Sequence, residues 1–151
     1  MNGNIVEIYE MLQEIARYFG NQSIDGECCE DLSLVEFLAL KKAYEKNQCS
    51  IQQIGKALNF TKSGATRIID RLETKGYVIR ERSAIDGRVC CVPVTDKGAE
   101  LVTRMIYKKA NELDKMLKHL QPQQLDQIRE TLQTLLELIS RKELGHENID
   151  K

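Results

Sequence analysis

The 151-residue sequence has no run of about 18 apolar residues, the length a bilayer-spanning helix needs, so no membrane partner is expected. Glu7, Glu10 and Glu14 interrupt the apolar positions near the N-terminus, which does not fit a secretory leader, and the expected compartment is the cytoplasm. There is no C-x-x-C, and the two histidines, His119 and His146, lie far in sequence from every cysteine, so no metal site is expected. Also missing are a glycine-rich phosphate loop, a paired metal motif and any visible set of nucleophile, base and orienting residue. These absences argue against an enzyme and against a cofactor. The cysteines number five, and an odd count in a cytoplasmic chain argues against a disulfide framework.

What the chain does have is 42% hydrophobic residues, enough to bury a core in one domain, or in one small domain with an extension. The net charge of −1 conceals a strong segregation. Residues 61–88 hold seven Lys or Arg against four Asp or Glu, a balance of +3, whereas residues 1–49 hold four bases against nine acids, a balance of −5. A local basic patch is the footprint that phosphate binding needs, whatever the total.

Residues 50–95 organise the rest. Ser50-Ile51-Gln52-Gln53 has the pattern of a capping box, and Ile51, Ile54, Gly55 and Leu58 form the apolar side of a short helix. Asn59-Phe60 makes a tight break, and Thr61 can cap a second helix. In that helix Ala65, Ile68, Ile69 and Leu72 recur with helical spacing as one apolar stripe, while Ser63, Thr66, Arg67 and Asp70 share another face. Two short helices joined this closely fit a helix-turn-helix. Hydroxyls and a guanidinium on the outer face suit the DNA major groove, since arginine forks onto guanine and Ser or Thr bonds bases or phosphates. Lys75-Gly76 is a helix stop. Strands are predicted over 77–82 and 89–94, linked through the turn dipeptide Asp86-Gly87. Arg80, Arg82 and Arg88 load this hairpin with positive charge, and Arg88 is placed to reach a narrow minor groove.

The flanks are helical. Ile5, Ile8, Tyr9, Leu12, Ile15 and Phe19 make one apolar face, and a loop follows with Asp25-Gly26 as a turn signal. Ser33-Leu34-Val35-Glu36 is a second capping box, opening a helix that runs to about Lys46. Beyond Asp96, Leu101, Met105, Leu113, Met116, Leu117 and Leu120 share a face. Pro122 opens a last helix whose stripe is Leu125, Ile128, Leu132, Leu135, Leu136 and Ile139. This is more apolar face than a small helix-turn-helix domain can cover. A two-fold homodimer covers it and spaces two recognition helices for an inverted repeat; the alternative is a monomer that folds its helices back on itself.

Asp86-Gly87-Arg88 followed by Val92-Pro93-Val94-Thr95-Asp96-Lys97-Gly98 resembles the wing signature of MarR-type winged-helix transcriptional regulators. The run from Arg71 through Lys75-Gly76-Tyr77 to Arg80 is similar to that family's recognition helix entering its first wing strand. Val94 departs from the usual leucine. The likeness extends over residues 33–98 in motif detail, and the flanking helices match only in layout. It implies a mostly α fold with a small β-wing (α+β), a winged helix-turn-helix with N- and C-terminal dimerisation helices. The expected division is 1–32, a dimerisation helix and cysteine-containing loop; 33–98, the DNA-binding domain; and 99–151, dimerisation helices and tail. The resemblance also implies interleaved terminal helices and favours repression. Many members of that family respond to small phenolic or carboxylate ligands.

The expected partner is a double-stranded DNA operator. Arg67, Ser63 and Thr66 are assigned to base edges, and Lys62, Thr61 and Arg71 to phosphates. Arg88 is the tip contact, with Asp86 orienting its guanidinium. A winged helix that binds protein instead of DNA is the alternative. Cys28-Cys29 and Cys90-Cys91 are vicinal, so a disulfide within either pair would be strained. Cys90 and Cys91 occupy a strand and point to opposite faces. All five cysteines, Cys49 included, read as reduced packing residues; the alternatives are a sensor at Cys28 and Cys29 for a thiol-reactive effector, redox or metalloid, and incidental reactivity. Glu27, Glu30 and Asp31 around that pair slow oxidation by like-charge repulsion.

Overall fold

The computed structural model describes residues 3–21 and 29–146. Among these residues the elements run α1 (Gly3–Asn21), α2 (Leu34–Glu45), α3 (Ile51–Ala57), α4 (Lys62–Thr74), β1 (Glu81–Arg82), β2 (Cys90–Cys91), α5 (Asp96–Leu117) and α6 (Pro122–His146). The fold is mostly α with a small β-wing. Two compact units divide the chain, the first ending at Tyr107 and the second starting at Lys108.

Side-chain caps set the helix starts. Ser33 Oγ and Ser50 Oγ accept from the N–H of Glu36 and Gln53 at 3.2 and 3.1 Å. Those two side chains accept in return from the cap N–H groups at 3.0 and 2.9 Å, so both predicted capping boxes form. Thr61 Oγ1 caps α4 by accepting from Gly64 N–H at 3.1 Å. The break before α4 is made by Asn59 at φ 55°, and the stop after it by Gly76 at φ 81°, a left-handed conformation that glycine adopts without strain.

In the first unit Ala65, Ile68, Ile69 and Leu72 of α4 are buried, as their spacing predicts. Most of the stripe joins Leu40 of α2, Ile54 of α3, Val92 beside β2, and Leu101 and Met105 of α5 in one hydrophobic cluster. Glu36 is only 4% exposed. Its carboxylate accepts from Ser33 N–H and also from Lys75 Nζ at 2.9 Å, so the buried charge is paired.

The hairpin is shorter in regular strand than predicted. Paired strands span only Glu81–Arg82 and Cys90–Cys91, in register Glu81↔Cys91 and Arg82↔Cys90, and an isolated Val78↔Val94 bridge keeps that register. Pro93 explains the gap. Ile79 N–H donates to Pro93 O at 3.0 Å, but proline has no N–H to return the bond. The other edge of β2 pairs Cys91 with Ser50, and Val92 N–H donates to Cys49 O at 2.9 Å, which ties the start of α3 to the wing.

The tip also differs from the tight turn that Asp-Gly signals. Neither Asp86 nor Gly87 adopts positive φ. Instead Ser83 Oγ accepts from the N–H of Ile85 and Asp86 at 3.2 and 3.3 Å. Asp86 Oδ1 accepts from Arg88 N–H at 3.0 Å, and Val89 N–H closes onto Asp86 O at 3.0 Å. Side-chain acceptors hold the reversal.

The link into α5 is laced to the end of α4. Thr95 Oγ1 donates to Gly76 O at 2.7 Å and accepts from Gly98 N–H at 3.1 Å. A Cβ on Gly98 would stand 2.3 Å from Tyr77 O, so the approach of these segments requires glycine.

All described side chains of α1 over residues 3–19 are exposed, among them Ile5, Ile8, Tyr9, Leu12, Ile15 and Phe19. In the second unit Pro122 opens α6, where Leu125, Ile128, Leu132, Leu136 and Ile139 are exposed and Leu135 is half-buried. Among the described residues, no helix is long and apolar enough to cross a membrane.

Candidate nucleic-acid interface

Burial of one α4 stripe leaves the opposite face outside. Thr61, Lys62, Ser63, Arg67 and Asp70 are exposed, and Thr66 is half-buried. The hydroxyls are already engaged. Thr61 Oγ1 lies 3.2 Å from Ser63 Oγ, and Thr66 Oγ1 donates to Lys62 O at 2.9 Å. Thr66 has therefore used its only donor on its own helix and keeps an acceptor and a methyl group for a ligand. That combination suits an adenine or cytosine amino group, or the thymine methyl.

A cleft of about 420 Å³ opens between α3, α4 and the β2 strand, and Lys62, Thr66, Arg88, Ser50, Lys56 and Cys90 are among its lining residues. The wing arginine thus meets the start of α4 on one surface, with Arg67 on the exposed face of the same helix. Among the described residues, Lys62, Arg67, Arg82 and Arg88 make no ion pair, so their charge remains available. Arg71 leans back toward Glu36, Nη1 to Oε1 3.8 Å, while its side chain stays 65% exposed.

Two expectations need correction. Arg80 does not add free charge to the hairpin. Its Nη1 donates to Glu73 Oε2 at 2.6 Å and its Nη2 to Asp70 Oδ1, so it rivets the wing to α4 and neutralises both acids. Asp86 does not orient the Arg88 guanidinium; its carboxylate accepts from the Arg88 backbone N–H instead. This fixes the backbone at Arg88 and leaves the side chain to seek an outside partner.

Behind this face, contacts between residues distant in sequence brace the wing root. Lys75 Nζ donates to Asp31 O at 2.5 Å as well as to Glu36, and Tyr77 Oη donates to Asp31 Oδ1 at 2.6 Å. Burial first, then that hydrogen bond and the charges of Asp31 and Glu30, push the Tyr77 phenol up to about 12. Arg104 donates to both carboxylate oxygens of Glu30, at 2.9 and 3.2 Å. The segment after the cysteine pair is thus strapped to the wing root and to α5.

Cys28 lies outside the described residues, and Cys29 is buried in the hydrophobic cluster. Cys49 and Cys91 are buried and Cys90 half-buried, so the β2 pair does point to opposite faces. Burial pushes the Cys49 thiol up, against the opposing pull of Lys46 and Lys42.

The family model described as the MarR family matches residues 32–90. The HTH-type transcriptional regulator MhqR of Bacillus subtilis (strain 168) is 32% identical over 101 residues, which cover 67% of this chain and 70% of that protein. The chain belongs to the MarR family. Among solved structures, this MarR-family chain resembles a MarR family protein from Bacillus stearothermophilus, with a TM-score of 0.83 at 20% identity, covering 93% of this chain and 99% of that one. It also resembles Streptococcus pneumoniae FabT, solved in complex with DNA, with a TM-score of 0.77 at 21% identity and coverage of 91% and 98%. At such identities these two likenesses show the winged-helix fold. MhqR is named a transcriptional regulator, and a DNA-binding regulator is supported over the protein-interaction module.

Proposed function

We propose that this MarR-family regulator is a homodimeric repressor of a pseudo-palindromic double-stranded operator, acting in the cytoplasm. It sets α4 in the major groove and the wing in the adjacent minor groove. The observation that carries this is the sharing of one surface by Lys62 and Arg88, which make no ion pair among the described residues, next to exposed Arg67, while the nearby acids Asp70 and Glu73 are held by Arg80. Phosphates meeting this surface find cations available, while the Asp70 and Glu73 carboxylates are already neutralised by Arg80. The FabT complex supports the same reading by likeness of fold.

In this reading Arg67, Ser63 and Thr66 face base edges. Lys62, Thr61 and Arg71 hold phosphates, Arg88 enters the minor groove, and Asp86 fixes its backbone. The exposed apolar faces of α1 and α6 support the homodimer, because an isolated chain would leave them in water. The proposed release signal is a small molecule or a thiol-reactive agent. For the latter, Cys28-Cys29 is the entry, and displacement of buried Cys29 would strain the straps from Glu30 and Asp31 to Arg104 and Tyr77. That differential strain would shift the population away from the DNA-competent state.

The test is selection of duplexes from a random pool with the purified protein, followed by titration of the recovered sequence. An enriched inverted repeat is expected, with weaker binding after oxidant treatment that a Cys28→Ser, Cys29→Ser variant resists. Recovery of no enriched duplex would refute the reading. Equal release of variant and wild type would remove the cysteine pair from it.

A further inference from the structure

Ile85 stands at the wing tip with 95% of its surface exposed, more than any other large hydrophobic side chain among the described residues. It is not on a loose strand end. Ser83 Oγ accepts from its N–H and from that of Asp86, and Asp86 in turn accepts from Arg88 N–H and from Val89 N–H. A turn held by four hydrogen bonds presents this side chain to solvent, just ahead of an arginine that makes no ion pair among the described residues.

We propose that Ile85 is a specificity-determining residue of the DNA interface: it packs into the minor groove beside Arg88 and discriminates against G·C pairs there. The proposal rests on the DNA-binding reading above and goes beyond it. Isoleucine can neither donate nor accept a hydrogen bond, so it contributes shape and desolvation only. The minor-groove floor of an A·T pair offers acceptors alone, whereas a G·C pair adds the projecting guanine amino group. A methyl pressed on that amino group strips its water and gives no acceptor in return, which is costly. The A·T floor is flat enough to receive the side chain, and narrow A·T grooves also draw the arginine. Apolar side chains in the minor groove are a known means of such shape recognition.

The experiment uses the full-length protein and the operator recovered by selection. The base pairs beneath the wing are varied among A·T, G·C and inosine·C. Inosine keeps guanine's major-groove edge and lacks only the amino group. Wild type is expected to bind the A·T and inosine·C duplexes alike and the G·C duplex roughly tenfold more weakly. In Ile85→Ser the hydroxyl can accept from the amino group, so the gap should shrink to about twofold. Ile85→Val should retain it. Because the side chain is exposed, neither variant should disturb folding, and a thermal melt checks this. Equal weakening by G·C and inosine·C, or an undiminished gap in Ile85→Ser, overturns the proposal while leaving DNA binding intact. Absence of any enriched duplex overturns both.

Discussion

Arg80 and Arg88 belong to the same hairpin, and their surroundings give them opposite roles. Arg80, with its side chain 28% exposed, is paired with both Asp70 and Glu73. Arg80→Ala should lower stability by about 1 kcal/mol, since both acids are part-exposed and solvent screens the pair. It should lower operator affinity as well, because the wing loses its rivet and two carboxylates are released on the DNA side. Denaturant midpoints and gel shifts read the two effects separately. Arg88→Ala should leave stability within about 0.5 kcal/mol and weaken binding to all sequences. Tyr77 provides a pH test. Its folded value of about 12 lies above the ordinary phenol value of 10, so the proton is held more tightly in the folded chain. The resulting stability is fully present below pH 10 and is lost as pH rises through 12. Phenolate absorbance should show one tyrosine titrating late, and Tyr77→Phe should remove that step. A Tyr77→Phe protein with an unchanged titration would refute the assignment.

At the scale of elements, what was legible in sequence is what local chemistry decides. The capping boxes at Ser33 and Ser50, the Thr61 cap, the Gly76 stop and the buried stripe of α4 all follow from side chains a few positions apart. The candidate DNA face is legible for the same reason, as the complement of that stripe. The strand lengths were not, because the effect of Pro93 depends on which residue it faces across the hairpin. Nor was the pairing of Arg80, which joins two elements and looks in sequence like one more free cation. Glu36 shows both sides: its capping role was visible, and its salt bridge to Lys75 was not. The junction of the wing with α5 gives the sharpest structural prediction. Gly98→Ala would force a Cβ to 2.3 Å from Tyr77 O, a backbone atom that cannot swing aside. A loss of about 1–3 kcal/mol is expected by chemical denaturation. A neutral Gly98→Ala would mean that the wing root is looser than described.

At the scale of the whole molecule, the apolar faces of α1 and α6 and the cationic surface of α4 and the wing belong to one proposal. A dimer would cover the first and present the second twice. A Leu132→Glu, Leu136→Glu variant should sediment as a monomer and lose preference for inverted repeats, because both leucines are exposed on α6. A dimer that survives those charges would move the interface elsewhere. The proposed regulator depends on one surface, formed by Lys62, Arg67 and Arg88, that contacts phosphates and bases. The salt dependence of operator affinity tests it most directly, measured by titration at several salt concentrations with wild type, Arg67→Ala and Arg88→Ala. Arg88→Ala is expected to reduce the slope of log affinity against log salt by about one, and Arg67→Ala also to relax sequence preference. Unchanged slopes and unchanged preference in both variants would contradict it.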